Sequence, residues 1–140
     1  MKWILTTSYE ALKLLPGQEN FVATPEGIRR ALKREDTFAF DAREDGARIG
    51  FAMIRKFHSD EYFLWEYLID AGFQGRGLGK SSLLALIALL RRDYGMKTLW
   101  TTYIWGNEAA RHLYERVGFK QTDVVDEDGI HEVNMVLHFT

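Results

Sequence analysis

The chain has no cysteine. Disulfides, thiolate metal ligands and a cysteine nucleophile are therefore excluded. Proline is scarce too, with Pro16 and Pro25 as the two examples, so proline punctuation is confined to the first part of the chain. There is no excess of either charge. Lys and Arg total 18 against 20 Asp and Glu, a formal net charge of -2, which gives a nucleic-acid partner no electrostatic support. Long apolar runs are absent. The most apolar stretch, Leu83 to Leu90, is far too short to cross a bilayer. The segment from Met1 to Leu15 is broken by Lys2, Glu10 and Lys13, unlike the core of a signal peptide. No membrane association and a cytoplasmic location are the expectations. The four histidines, His58, His112, His131 and His138, lack metal-ligand spacing with one another, so no metal is expected.

What is present suits one globular domain over residues 1–140, with 46% hydrophobic and 14% aromatic residues. Residues 2–7 read as a short strand. Tyr9 to Leu15 and Glu26 to Arg34 read as helices, the second with Thr24 as N-cap. Strand-like runs follow at Thr37 to Ala42, Arg48 to Phe57 and Tyr62 to Asp70. Asp45-Gly46 and Ser59-Asp60 separate them as turns, which predicts an antiparallel meander. Leu78 to Tyr94 is a long helix closed by Gly95, Thr98 to Ile104 a strand, and Asn107 to Val117 a helix closed by Gly118. Phe119 to Val125 and His131 to Phe139 form a last hairpin around a solvated acidic tip, Asp126 to Asp128. Strand, helix, strand implies a right-handed crossover and one parallel pair. The expected fold is α/β (α+β): a mixed, mostly antiparallel sheet of six to seven strands, with about four helices on its two faces.

The most informative stretch is Gln74-Gly75-Arg76-Gly77-Leu78-Gly79-Lys80-Ser81. It follows a strand and opens a helix, where free backbone N–H groups and the helix dipole favour a phosphate. Glycines at 75, 77 and 79 permit close approach and positive φ. Arg76 and Lys80 supply charge, and Ser81 can donate from the first turn. A P-loop reading fails because Gln74 stands where its first glycine belongs, and no later strand ends in an Asp for magnesium. A dinucleotide fingerprint fails on the spacing Gly75-x-Gly77-x-Gly79. A purely structural turn is the remaining alternative.

Gln74-x-x-Gly77-x-Gly79 resembles the acyl-CoA motif of the GNAT superfamily of N-acetyltransferases, and Asn107-x-x-Ala110-x-x-x-Tyr114-x-x-x-Gly118-Phe119 resembles its second motif. The two stand in the family's order, and the order of elements is similar over nearly the whole chain. Leu68-Ile69-Asp70 with Phe73 to Lys80 is similar to the spermidine/spermine acetyltransferase-like branch. The resemblance implies a sheet splayed in the centre, between the strands at 62–70 and 98–104, with the pantetheine arm of acetyl-CoA in the gap. That arm would pair with backbone near Leu68 and Ile69. The pyrophosphate would sit on the amides of 75–80, Asn107 would bind the cofactor arm, and Ala110 would belong to the same cofactor site. It implies transfer of acetyl to a primary amine, of a small molecule (polyamine-like or amino-acid-like) or a peptide. A homodimer would be in keeping with family habit. The alternative is a catalytically silent acyl-CoA sensor or scaffold.

Without a cysteine, transfer is expected to be direct. By the second motif Tyr114 would protonate the leaving thiolate, although Ala110, Leu113, Tyr114 and Val117 also make an apolar stripe in which Tyr114 is simply core. A backbone N–H near Ile69 is the candidate donor to the oxyanion. Glu66 is the candidate base, against the reading of a solvated edge carboxylate. Regular alternation puts Leu64, Glu66, Leu68 and Asp70 on one face, and a bulge where the sheet splays would change that parity. Asp70 reads as a turn residue and His112 as an exposed helix residue. Asp60, Glu61 and Glu66 hint at a cationic acceptor. Trp65, Tyr67, Tyr103 and Trp105 could shape an apolar pocket, with the loop from Pro16 to Pro25 closing its acceptor side.

Overall fold

The alternating and helical periods of the sequence resolve into one seven-stranded sheet in the computed structural model, which describes residues 1–139. The strands are β1 (Lys2–Thr6), β2 (Thr37–Glu44), β3 (Ala47–Lys56), β4 (Glu61–Ile69), β5 (Thr98–Ile104), β6 (Lys120–Glu127) and β7 (Ile130–His138). Their order in the sheet is β1-β2-β3-β4-β5-β7-β6. Every pair is antiparallel except β4 with β5. The helices among the described residues are α1 (Pro25–Ala31), α2 (Leu78–Tyr94) and α3 (Glu108–Val117), three rather than about four.

The missing helix is Tyr9 to Leu15, which has no regular structure. Its apolar residues Tyr9 and Leu12 are buried, but its backbone is satisfied from elsewhere. Lys13 N–H donates to Asp70 at 3.0 Å, Lys13 carbonyl accepts from Ala71, and Arg29 and Arg48 donate to the carbonyls of Tyr9 and Glu10. Long-range partners outcompete the local helical ladder here. Asp70 is accordingly the turn residue expected, its other oxygen accepting from Gly72 N–H at 2.9 Å.

Two cores sit on opposite faces of the sheet. On one face α2 and α3 bury Leu83, Leu86, Leu90 and Tyr114 against Phe40, Ile54, Leu64 and Leu99. On the other, α1 and the 9–12 segment bury Ile28, Tyr9 and Leu12 against Ala39, Phe51, Met53 and Leu68.

The feature that makes a site is where pairing stops. The parallel ladder joins Glu61–Leu64 to Thr98–Thr101 and goes no further. The Thr101 hydroxyl donates to the Leu64 carbonyl at 3.1 Å at its end. At the same level β4 carries a bulge: Met53 faces Glu66 while Ile54 faces Leu64, leaving Trp65 as the extra residue. Beyond it β4 and β5 diverge. The bulge also breaks the simple alternation. Leu64 belongs to the α2/α3 core, whereas Leu68, and Glu66 opposite Met53, belong to the α1 side.

Candidate active site

The gap between β4 and β5 opens into a cavity of about 780 Å³. It is lined by eleven of the candidate residues: Glu66, Leu68, Ile69, Gln74, Gly75, Gly77, Gly79, Lys80, Asn107, Ala110 and Tyr114. Arg76, Leu78 and Ser81 do not line it. The Arg76 guanidinium lies over the Phe73 ring at 5.5 Å, and the Ser81 hydroxyl turns back onto the carbonyls of Gly77 and Leu78 at 3.2 and 3.3 Å.

One end of the cavity is the start of α2. Helix α1 is capped by the Thr24 side chain and has Glu26 in its first turn; α3 is capped by Asn107 and has Glu108. Helix α2 has neither, because its N-cap is Gly77 and its first turn carries no acid. The N–H groups of that turn are left without side-chain acceptors, at the positive end of the dipole. Gly75 and Gly77 hold φ of 78° and 73°, which turns the loop back on itself. Gly79 is ordinary helix instead of a positive-φ residue; its carbonyl accepts from the Tyr67 hydroxyl at 2.7 Å, which pins α2 to β4. Lys80, His112 and Arg116 line this end and make it basic. His112 is exposed on α3, as its helix position implied, and also borders the cavity, while Arg116 was not singled out by any motif.

Gln74 has a structural duty. Its Nε2 donates to the Ile69 carbonyl at 2.8 Å and to Gln18 Oε1 at 3.1 Å. Asn107 likewise spends Oδ1 on capping α3, accepting from Ala110 N–H at 3.3 Å.

The centre of the cavity holds the reactive groups. Asp70 N–H donates to the Ile49 carbonyl on β3 at 2.8 Å. Backbone groups alternate sides along a strand, so the Ile69 N–H points the other way, into the gap. The Leu68 carbonyl is turned toward β3, where a Cβ added at Gly50 would meet it at 2.8 Å. Protein surrounds the Glu66 carboxylate, and burial pushes its pKa up from 4.5 to about 7, with the Ala23 N–H pulling weakly back from 3.4 Å. Tyr114 is buried, and that burial pushes its hydroxyl up to about 12; the Thr101 hydroxyl pulls it down and the Glu66 charge pushes it up. Tyr67 is raised by burial and then by Tyr114.

The third region is a strap, residues 17–24, whose Gln18, Phe21 and Val22 reach the cavity. Gln18 ties it to Gln74, Ala23 ties it to Glu66, and the Phe21 ring lies 3.8 Å from where a Cβ at Gly106 would stand, on the β5 side of the gap. Phe63, Trp65, Tyr67 and Tyr103 also line the cavity, whereas Trp105 is exposed outside it. Asp60 and Glu61 do not reach it. They lie at the paired end of β4, and the cavity opens at the other end.

The sequence pattern of the acetyltransferase (GNAT) family matches residues 3–119. A spermine/spermidine N(1)-acetyltransferase of Bacillus subtilis (strain 168) is 34% identical over 92 residues, covering 61% of this chain and 60% of that protein. The match thus spans less than two thirds of that relative. A [ribosomal protein bS18]-alanine N-acetyltransferase of Haemophilus influenzae is 38% identical over 116 residues, covering 83% of this chain and 77% of that protein. Among solved structures, a GNAT family acetyltransferase from Elizabethkingia anophelis with acetyl-CoA bound superposes with a TM-score of 0.71 at 18% identity, over 94% of this chain and 95% of that one. Among the described residues no cluster fit to hold a metal occurs, and no helix is long and apolar enough to cross a membrane.

Proposed function

The chain belongs to the acetyltransferase (GNAT) family, and from that premise we propose that it moves the acetyl group of acetyl-CoA directly onto a primary amine of a small molecule or peptide. The observation that carries this reading is the joining, in one cavity, of an uncapped helix start, a free strand edge at Ile69, a raised carboxylate and a buried tyrosine. The phosphates would lie on the amides at the start of α2 beside Lys80 and Arg116, and the arm along the unpaired edge of β4. No cysteine exists to carry an acyl intermediate, so the amine attacks the thioester itself.

An alkylamine is mostly protonated at neutrality, its pKa being about 10.4. Glu66, with a pKa of about 7, is a far better proton acceptor than an ordinary carboxylate. As the nitrogen–carbon bond forms and the carbon–sulfur bond breaks, charge grows on the acyl oxygen, where the Ile69 N–H can donate. The Tyr114 hydroxyl, raised to about 12, keeps its proton throughout the working range and can give a hydrogen bond or the proton to the thiolate. A silent binder would have no use for a raised carboxylate and a buried phenol facing the same gap.

A thiol-release assay with acetyl-CoA and a panel of amines tests this. Turnover with at least one amine is expected, rising with pH through an apparent pKa near 7 as Glu66 loses its proton. Tight acetyl-CoA binding with no turnover of any amine would favour the silent binder. The strap offers a second expectation. Phe21→Ala should widen the acceptor side, raising kcat/KM for bulky amines relative to slender ones with little change in the KM for acetyl-CoA. An unaltered ranking of amines would remove Phe21 from the acceptor wall.

A further inference from the structure

Arg55, Glu66 and Glu132 are the ionisable side chains that line the cavity on the α1 face of the sheet. Two of the three are engaged. Arg55 Nε is 2.9 Å from Asp36, and its guanidinium lies over Phe57 at 5.1 Å. Glu66 is assigned to the amine proton. The Glu132 side chain has no hydrogen bond and no ion pair among the described residues. Its register partners are Ile104 on β5 and Val125 on β6, both apolar. The neighbouring His131 is paired with Asp126 at 2.6 Å instead. Beside Glu132 the polar chain Thr102–Asn134–Asp123, with contacts of 2.7 and 3.3 Å, ends in another carboxylate and brings no cation. A half-buried carboxylate without a partner loses hydration and gains nothing from the protein. It is the wrong residue for a wall meant to hold an apolar tail.

The geometry points to Glu132 as the subsite for a second ammonium group, making the acceptor a linear di- or polyamine acetylated at the end held near Glu66. This rests on the N-acetyltransferase reading of the same cavity and adds the chemistry of the acceptor's far end. The spacing follows from the sheet. Glu66 is on β4 and Glu132 on β7, with β5 between them. Two strand spacings make roughly 10 Å, widened where β4 and β5 diverge. A short diamine cannot bridge that distance, whereas an extended diaminooctane or a triamine can. The path between runs past Thr102 and Ile104, which suits a methylene chain with an occasional polar atom.

The test compares α,ω-diaminooctane with n-octylamine, the same chain without the second charge. Two readouts are taken: thiol release with acetyl-CoA, and equilibrium binding to the protein in the presence of CoA. The diamine is expected to show a lower KM and a lower Kd than the monoamine by about ten- to a hundredfold, the worth of a hydrogen-bonded charge. Glu132→Gln should erase most of that advantage, and Glu132→Lys all of it, while diaminobutane gains little from Glu132. Equal behaviour of diamine and monoamine in the wild type, or equal losses for both in E132Q, overturns the subsite. Preferential diamine binding lost in E132Q, with no thiol release from any amine, would sink the transferase reading and leave the subsite standing.

Discussion

Gly77→Asp is expected to leave the protein folded and to weaken acetyl-CoA binding by at least about a hundredfold, the loss of two or more hydrogen bonds to a charged group. Gly77 is the N-cap of α2 and has open space around its Cα, so an added side chain meets nothing. Its φ of 73° is a cost for most residues, but aspartate tolerates this region comparatively well. A carboxylate there also suits the positive end of the helix, which offsets part of the strain. The same property makes it destructive to binding, since the carboxylate stands where the phosphates would lie, repels them and competes for the free amides. Gly77→Asn separates the two effects, because it competes for the amides without the charge and should lose less affinity. Calorimetric titration with acetyl-CoA, beside a thermal melt of each variant, reads the outcome. Unchanged affinity in G77D would remove the start of α2 from the phosphate site.

The start of α2 was legible because its signals are local. Glycines fall at both ends, and the bounds Leu78 and Tyr94 follow from them. The hairpins were legible from alternation and from Asp45-Gly46 and Ser59-Asp60, although β6 runs on through Asp126 and Glu127, which the sequence pattern places in the last hairpin's tip. The parallel pair followed from strand, helix, strand. What failed was whatever depended on partners far along the chain. Tyr9 and Leu12 have helical spacing, yet Asp70, Arg29 and Arg48 hold that segment irregular. The strap at 17–24 has no period at all, so Gln18, Phe21 and Val22 gave no sign of lining a cavity beyond the general expectation for that loop. Glu66 is the sharpest case. Its side of the sheet turns on one extra residue, Trp65, and a single-residue bulge reverses every side chain beyond it. Whether Asp60 and Glu61 reached the site depended on which end of the β4–β5 pair came apart, a matter of tertiary geometry.

Because that bulge brings Glu66 to the cavity without an ion-pair partner, Glu66→Gln should cut kcat by about a hundredfold or more and at the same time make the protein more stable in alkaline solution. The carboxyl has a pKa of about 7 in the folded chain against 4.5 as its ordinary value. A carboxyl raised by folding contributes its full stability below about 4.5, where it is protonated in both states, and loses it as pH rises through about 7. The difference corresponds to roughly 3 kcal/mol. Wild-type stability should therefore fall between those values relative to E66Q, which has nothing there to titrate. Tyr114→Phe provides the contrast. It should lower kcat more than it raises the KM for acetyl-CoA, yet it should leave the slope of stability against pH in place, since Glu66 still titrates. A residue that is only packing would show the reverse pattern, lost stability and intact turnover. Urea unfolding across pH with matched kcat measurements distinguishes these cases. If E66Q keeps full activity, or if its stability follows pH as the wild type does, Glu66 is neither the base nor the buried charge described. The combination of lost activity and gained stability is the signature of a charge held out of water for chemistry, because a carboxylate retained for the fold would lose both on becoming glutamine.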